Sequence, residues 1–288
     1  MGYASVNMPL FNSVNISGYH MQEARADADL ELSFTITDRQ EYARTAVEVS
    51  DLKVNNVAPR LSFLWGIRII FITNIAKMRA GRRMWEKLMK ELYQPKNSKP
   101  LLLRAHCQTS VYSLTGYQPP NNVVRTTVEV LAIVMEGTQS LHTNLYDEAV
   151  VLSTPRSSRV ARYTQLTLRK ETGMTEVSDP WGGLYMTESL MDDLYNIAMY
   201  ILREVEEEGG GMMRYIEYGR AKMKIEESAT KKQGSIDLGR DLVVGVNKDW
   251  LDEDNGDNSN GNGDRNEGGE DALDNLSINN AAMRESQI

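Results

Sequence analysis

Leu101-Leu-Leu-Arg-Ala-His-Cys-Gln-Thr-Ser110 alternates like a strand, yet the face opposite its apolar side carries Arg104, His106 and Gln108. Successive strand side chains point to opposite faces, so Leu103 and Cys107 share one side and the three polar residues the other. Three more runs are built the same way: Phe11-Asn-Ser-Val-Asn-Ile-Ser-Gly-Tyr-His20, Arg60-Leu-Ser-Phe-Leu-Trp65 and Gly137-Thr-Gln-Ser-Leu-His-Thr-Asn144. Their polar sides collect Ser13, Asn15 and Ser17, then Arg60 and Ser62, then Ser140, His142 and Asn144. The opposite sides hold Val14 and Ile16, Leu61 and Phe63, and Leu141. All three histidines of the chain fall in or at the end of these runs.

A half-solvated antiparallel sheet gives the same alternation. The segments between the runs point elsewhere. Each run is followed by a long helical stretch, and such βα series build parallel sheets covered on both sides. A polar face in a covered sheet must look onto something polar inside. A β/α barrel whose bore holds a ligand meets that need, whereas ordinary barrels of this kind fill the bore with Val, Ile and Leu. The expected class is therefore α/β, a β/α barrel around a ligand.

Helical spacing is read over 26–49, with Leu30, Phe34 and Tyr42, and over 69–92, closing at the turn around Pro95. A third helix follows Pro119-Pro120-Asn121, since proline suits a first turn. A fourth starts at Ser157-Ser158 as capping residues and stops at Gly173. Four βα units thus fill roughly 10–173. Asp179-Pro-Trp-Gly-Gly183 is a turn, followed by a helix from Thr187 whose stripe of Leu190, Leu194, Ile197, Ile201 and Val205 packs on a body. Glu206-Glu-Glu-Gly-Gly-Gly211 ends that helix; following a helix and not a strand, it is no phosphate loop. One further helix is expected over 212–233, then extended chain through Leu242-Val-Val-Gly-Val-Asn247. Residues 252–271, nearly all Asp, Asn, Gly and Glu, read as a disordered insert.

The net charge of −8 resides in the tail. Residues 251–288 hold ten acidic residues against Arg265 and Arg284, so the preceding residues are neutral overall. No basic stripe suggests a nucleic-acid partner. The longest apolar run is interrupted by Arg68, which argues against a membrane partner. Met1-Gly-Tyr leads almost directly into a strand, so no signal or transit segment is expected in these residues. The single cysteine, Cys107, cannot close an internal disulfide and lies on an apolar face, which fits an inert thiol in a reducing compartment.

With the segments in place, the chain resembles the cobalamin-dependent acyl-CoA mutases, in their methylmalonyl-CoA branch. The resemblance rests on Ser17-Gly-Tyr-His-Met-Gln-Glu-Ala24, Ala58-Pro-Arg-Leu-Ser-Phe63, Ala76-Lys-Met-Arg-Ala-Gly-Arg-Arg83, Arg104-Ala-His-Cys-Gln-Thr-Ser110, Gly137-Thr-Gln-Ser-Leu-His-Thr-Asn144, Asp147-Glu-Ala149, Asp179-Pro-Trp-Gly-Gly183 and Val244-Gly-Val-Asn247. It runs over about 8–250 and resumes at Leu276-Ser-Ile. Gln94-Pro-Lys-Asn-Ser98 resembles the animal mitochondrial wording, which implies the mitochondrial matrix.

The resemblance implies a partial (β/α)8 barrel, in which 1–175 are the last four βα units of the family's barrel and 176–250 a helical linker packing on it. Residues 251–275 are then an acidic disordered insert, and 276–288 the start of a linker to a cobalamin-binding domain outside this chain. None of the three histidines sits in that domain's Asp-x-His-x-x-Gly motif, so no cobalt ligand is expected here.

The implied cofactor is adenosylcobalamin, the substrate an acyl-CoA, and the assembly a homodimer or heterodimer of mutase subunits. The implied reaction is the radical interconversion of (R)-methylmalonyl-CoA and succinyl-CoA, with this chain inactive on its own. A non-catalytic truncated paralogue acting as a structural subunit, and a sister mutase for another branched acyl-CoA, remain open.

For the site, the resemblance implies that His20 hydrogen-bonds the thioester carbonyl, and that Arg60, Leu61 and Ser62 bind the coenzyme A moiety. It puts Glu23, Gln108, Val111, Glu148 and Ala149 at the adenosylcobalamin, with Arg104 and His106 lining the same end. Read from the residues alone, His20 could equally be a satisfied core histidine, and strict parity puts it on the apolar side unless Gly18 breaks the alternation. Arg60 could equally be half of a structural ion pair. Asn144 and Gln139 either join the lining or brace the strand tip. The chain departs from the family pattern at Leu10, Val111-Tyr112, Arg68-Ile-Ile70 and Tyr163.

Overall fold

A computed structural model describes residues 1–8, 11–49, 52–150, 152 and 154–249. Leu10, the acidic insert at 251–275 and the segment at 276–288 lie outside the described residues. In chain order the elements are α1 (Gly2–Asn7), β1 (Val14–Ser17), α2 (Tyr19–Glu23), α3 (Ala28–Arg44), α4 (Val54–Val57), β2 (Leu61–Ile67), α5 (Phe71–Tyr93), β3 (Ala105–Thr109), α6 (Asn121–Met135), β4 (Ser140–His142), α7 (Pro155–Glu171), α8 (Tyr185–Arg203), α9 (Met212–Glu217) and α10 (Arg220–Asp237).

The four strands form one parallel sheet in the order β1-β2-β3-β4. That excludes the antiparallel alternative, because each strand returns through a helix and not a hairpin. The apolar side of the sheet, with Phe63, Trp65, Ile67 and Cys107, is buried against Leu32 and Ile36 of α3, Ile75, Met84 and Trp85 of α5, and Ile133 of α6. Each large side chain buried there contributes about 1.5–3 kcal/mol. Helix α8 packs outside α3 and α5, adding Leu194, Tyr195, Ala198, Met199 and Leu202 to the same core.

A buried ion pair fastens this layer to β2. Glu31 and Lys77 are fully buried with Oε2 and Nζ 2.6 Å apart. Glu31 Oε1 accepts from the Gly66 amide at 2.9 Å, and Lys77 Nζ donates to the Gly66 carbonyl at 2.6 Å. The pair thus takes both backbone groups of one glycine near the C-terminal end of β2. A Cβ at Gly66 would stand 2.3 Å from Gln22 Oε1, so a larger residue there would force the buried Gln22 side chain to move.

Several element boundaries differ from the sequence reading. β1 stops at Ser17, since Gly18 takes a helical conformation and opens α2. The alternation therefore ends before His20, which is exposed and not on the apolar side. The fourth long helix begins at Pro155 and is capped by Thr154, whose hydroxyl accepts from the Ser157 amide while Ser157 answers the Thr154 amide. Ser157 is the third residue of that box, not the cap. Residues 212–233 form no single helix: Gly219, at φ 72°, separates α9 from α10. On α8, Ile197 is 45% exposed and lies off the buried stripe. The 242–247 stretch is a turn held by Asn247, whose side chain binds the Ile236 and Asp241 carbonyls and the Val243 amide.

Behind the sheet, Cys107 Sγ donates to Glu136 Oε1 at 3.1 Å. Burial pushes the Glu136 carboxyl up to about 7, with the Arg82 charge opposing. A carboxyl raised in the fold contributes stability that is full below the ordinary carboxylate range and is lost as pH rises toward 7. Glu136→Gln should therefore flatten the fall in urea midpoint between pH 5 and 7. Wild-type and variant curves that stay parallel over that interval would refute the assignment.

Candidate functional site

The opposite side of the sheet carries the polar residues in three tiers. In a parallel sheet, partners in register share a face, so Asn15 stands beside Ser62. The next tier is Ser17, Leu64, His106 and Ser140, and the third is Gly66, Gln108 and His142. Ser62 Oγ donates to Asn15 Oδ1 at 3.2 Å, and His106 Nδ1 lies 2.7 Å from Ser140 Oγ. Burial holds the His106 imidazole below its ordinary range, with His142 adding to the effect. His106 is thus a neutral hydrogen-bonding group at neutral pH.

His20 stands at the C-terminal end of β1, its Nδ1 2.6 Å from Ser17 Oγ. When the Ser17 hydroxyl donates to Nδ1, Nε2 carries the proton and is free to donate. Tyr19 packs edge-on against the ring.

Across the same end, the loop after β3 is gripped by carboxylates. Glu23 Oε1 accepts from Ser110 Oγ at 2.8 Å and the Val111 amide at 3.1 Å, and Oε2 accepts from the Tyr112 amide at 3.1 Å. Gln22 Nε2 donates to the same Ser110 hydroxyl at 2.9 Å, and Glu129 Oε2 accepts from the Ser110 amide at 3.2 Å. Burial raises the Glu23 carboxyl, and its bonds to Ser110, Tyr112 and Val111 oppose the rise. Burial raises Glu129 much further. Neither Gln22 nor Glu129 was expected from the sequence. The available signal was Glu129 itself, a lone acid in the otherwise apolar Val128-Glu-Val-Leu-Ala-Ile-Val134 helix.

The sequence-expected residues divide between two ends. Glu23, Val111, Glu148 and Ala149 share the C-terminal end of the strands with His20. Glu148 is exposed, and its Oε2 accepts from the Leu145 amide at 3.0 Å. Gln108 donates to Asn144 Oδ1 at 3.2 Å.

Arg104 does not belong to that group. It precedes β3, and its carbonyl accepts from the Phe63 amide, which puts it beside Ser62 at the N-terminal end. Five strand residues separate it from Ser110, roughly 17 Å of extended chain. The Leu61 side chain is fully buried with Ile16, Ala43, Ala46 and Val57 on the helix side, so any contact it makes on the polar face is through its backbone.

Arg60 and Arg104 make no ion pair or side-chain hydrogen bond among the described residues, so the ion-pair alternative for Arg60 finds no carboxylate. Asn144 and Gln139 act as braces: Asn144 Nδ2 donates to the Thr109 carbonyl at 2.6 Å, and Gln139 Oε1 accepts from the Ala105 amide at 2.6 Å.

Of the departures from the family pattern, Arg68 is buried and 3.6 Å from Asp27, while Tyr163 is exposed on α7. A groove of ≈ 920 Å³ lies on the helix side, between α5, α6 and the turn at 174–181. It borders Arg104 and Gln139 but none of the other expected site residues. Among the described residues, no helix is long and apolar enough to cross a membrane.

The chain matches the family model described as methylmalonyl-CoA mutase over residues 1–284. It is 50% identical over 286 residues to the mitochondrial methylmalonyl-CoA mutase of Bos taurus, covering 99% of this chain and 36% of that protein. The Homo sapiens counterpart gives the same identity and coverage. The methylmalonyl-CoA mutase large subunit of Porphyromonas gingivalis is 45% identical, with 37% of its length covered. The chain thus spans about a third of the length of the curated relatives it matches.

Proposed function

Since this chain belongs to the methylmalonyl-CoA mutase family, a family of intramolecular transferases, we propose that its sheet is the second half of an acyl-CoA mutase barrel. The polar face is then one wall of the acyl-CoA channel. The observation that carries this reading is a parallel sheet covered by helices on its apolar side that still presents three tiers of Ser, Asn, His and Gln on the other. A barrel core that needed only packing would hold branched apolar residues there.

In the proposed reaction a hydrogen and the carbonyl-CoA group exchange places on adjacent carbons, interconverting (R)-methylmalonyl-CoA and succinyl-CoA. His20, its tautomer set by Ser17, donates from Nε2 to the thioester carbonyl. Arg60 and Ser62 hold the coenzyme A portion at the N-terminal mouth, where a guanidinium with no carboxylate partner suits a phosphate. The donor set at the other end fits the nucleoside part of adenosylcobalamin. Glu148 is exposed, with one oxygen unspent for a ribose hydroxyl, and Gln108 and Ala149 flank the same end. Bound there, the cofactor supplies the radical, and the chain's residues orient and shield. Glu23 acts through the loop it holds, since both its oxygens are taken.

We assign the protein to the mitochondrial matrix, as its animal relatives are mitochondrial mutases, and to a dimer of mutase subunits, following the bacterial large-subunit relatives. A non-catalytic subunit is the second reading. It is favoured by Val111 at the cofactor end and by Arg68 buried after β2.

Calorimetric titration of coenzyme A into the 288-residue chain tests the main reading. Arg60→Ala should weaken binding by about 10-fold or more, the worth of a charge-assisted hydrogen bond. Equal affinities in wild type and variant would refute the assignment of the mouth. Assayed with adenosylcobalamin, this polypeptide alone should give no succinyl-CoA, because it carries only one wall of the proposed channel.

A further inference from the structure

Arg39, on α3, was not singled out by the sequence, and of the residues expected to meet substrate or cofactor it bonds only the backbone of Leu61. It is fully buried, yet it pairs with no carboxylate among the described residues. Its guanidinium sits in the corner of two nearly perpendicular aromatic rings, 4.0 Å from the centroid of Phe63 and 3.8 Å from that of Trp85. Nη2 donates to the Ala58 carbonyl at 3.1 Å and to the Leu61 carbonyl at 2.7 Å. Nε and Nη1 have no hydrogen-bond partner among the described residues. A buried guanidinium usually answers an anion; this one answers two carbonyls that bracket Pro59-Arg60.

That bracket closes the turn from which Arg60 leaves. Ala58–Arg60 is a single 3-10 turn, and Leu61 begins β2. A turn of this length has weak internal hydrogen bonding and holds its shape through outside contacts. Arg39 supplies them at both ends, while cation–π contact with the two rings holds its own guanidinium in place. Phe63, one of the two rings against Arg39, also fixes the entry of β3, since its amide donates to the Arg104 carbonyl at 2.8 Å. One buried side chain therefore sets the backbone from which both unpaired mouth arginines depart.

We propose that Arg39 is the positioning residue for Arg60, holding the Ala58–Leu61 turn so that the Arg60 guanidinium meets the phosphates of coenzyme A in a fixed pose. The inference rests on the reading of this mouth as the coenzyme A entrance. Its distinguishing consequence is coupling: once the turn is loose, Arg60 has little left to contribute.

The test is a double-mutant cycle on the 288-residue chain with coenzyme A as the titrant, read together with hydrogen exchange. Arg39→Met should weaken coenzyme A binding about as much as Arg60→Ala, and the double variant should be no weaker than either single one, the signature of coupled residues. Exchange at the Arg60, Leu61 and Ser62 amides should quicken in Arg39→Met while Ala105–Thr109 stay protected. Arg39→Lys, which keeps the charge but not the planar fork, should show the same exchange change with a smaller loss of fold stability.

Additive losses in the cycle, or unchanged protection of residues 60–62 in both variants, would overturn the proposal. If Arg60→Ala leaves coenzyme A affinity untouched, the reading of the mouth falls. The exchange data then decide the clamp by themselves.

Discussion

Lys77→Met is expected to destabilise the folded chain by about 3–5 kcal/mol, because it leaves Glu31 as an unpaired charge in a dry interior. The methionine replaces the length of the lysine stem but not its ammonium. Glu31 then keeps only the Gly66 amide, and the Gly66 carbonyl loses its donor. The double variant Glu31→Gln/Lys77→Met should recover part of the loss, since no net charge stays buried. Urea unfolding of the single and double variants measures both. A single-variant loss below about 1 kcal/mol would mean that the pair behaves like a surface ion pair and does not fasten β2.

The second large effect falls on chemistry. In a full-length enzyme carrying this sequence, His20→Ala should lower turnover by ~10²-fold, the usual cost of removing a donor aimed at developing charge on an oxygen. The Michaelis constant should move much less, because the bond matters most when the carbonyl carries charge in the transition state. Ser17→Ala should cost a smaller part of the rate, since it frees the tautomer without removing the ring. An unchanged turnover in His20→Ala would remove this residue from the mechanism and favour the non-catalytic reading.

Much of the architecture was legible because it depends on periods. The two-residue alternation in residues 101–110 separated Arg104, His106 and Gln108 from Leu103 and Cys107, and the structure keeps that division, with Cys107 fully buried. The helices between the runs were legible from their spacing and stops, and Gly173 does sit in the left-handed conformation just past α7. Boundaries were less so. Thr154 and Ser157 are both good capping residues, and only the hydrogen bonds decide which one caps.

The site was legible to the extent that it lies on regular strands. Ser62, His106, Gln108 and His142 share one face because parity and parallel register leave no other arrangement. His20 was ambiguous, since a single glycine before it ends the alternation. Leu61 followed parity to the apolar side, which leaves only its backbone for the implied contact with coenzyme A.

The sequence by itself determined the strand faces, the order of strand and helix, the location of the acidity in 251–288 and the family. All of these rest on residue type and spacing along the chain. Tertiary structure alone decided where buried charge goes. Glu31 meets Lys77 across 46 residues, Glu23 reaches Ser110 across 87, and Arg39 reaches Leu61 beside rings supplied by β2 and α5. No local pattern encodes such partners, because a buried ion or carboxyl is stabilised by whatever polar atom the packing brings within about 3 Å, and the packing is a property of the whole fold.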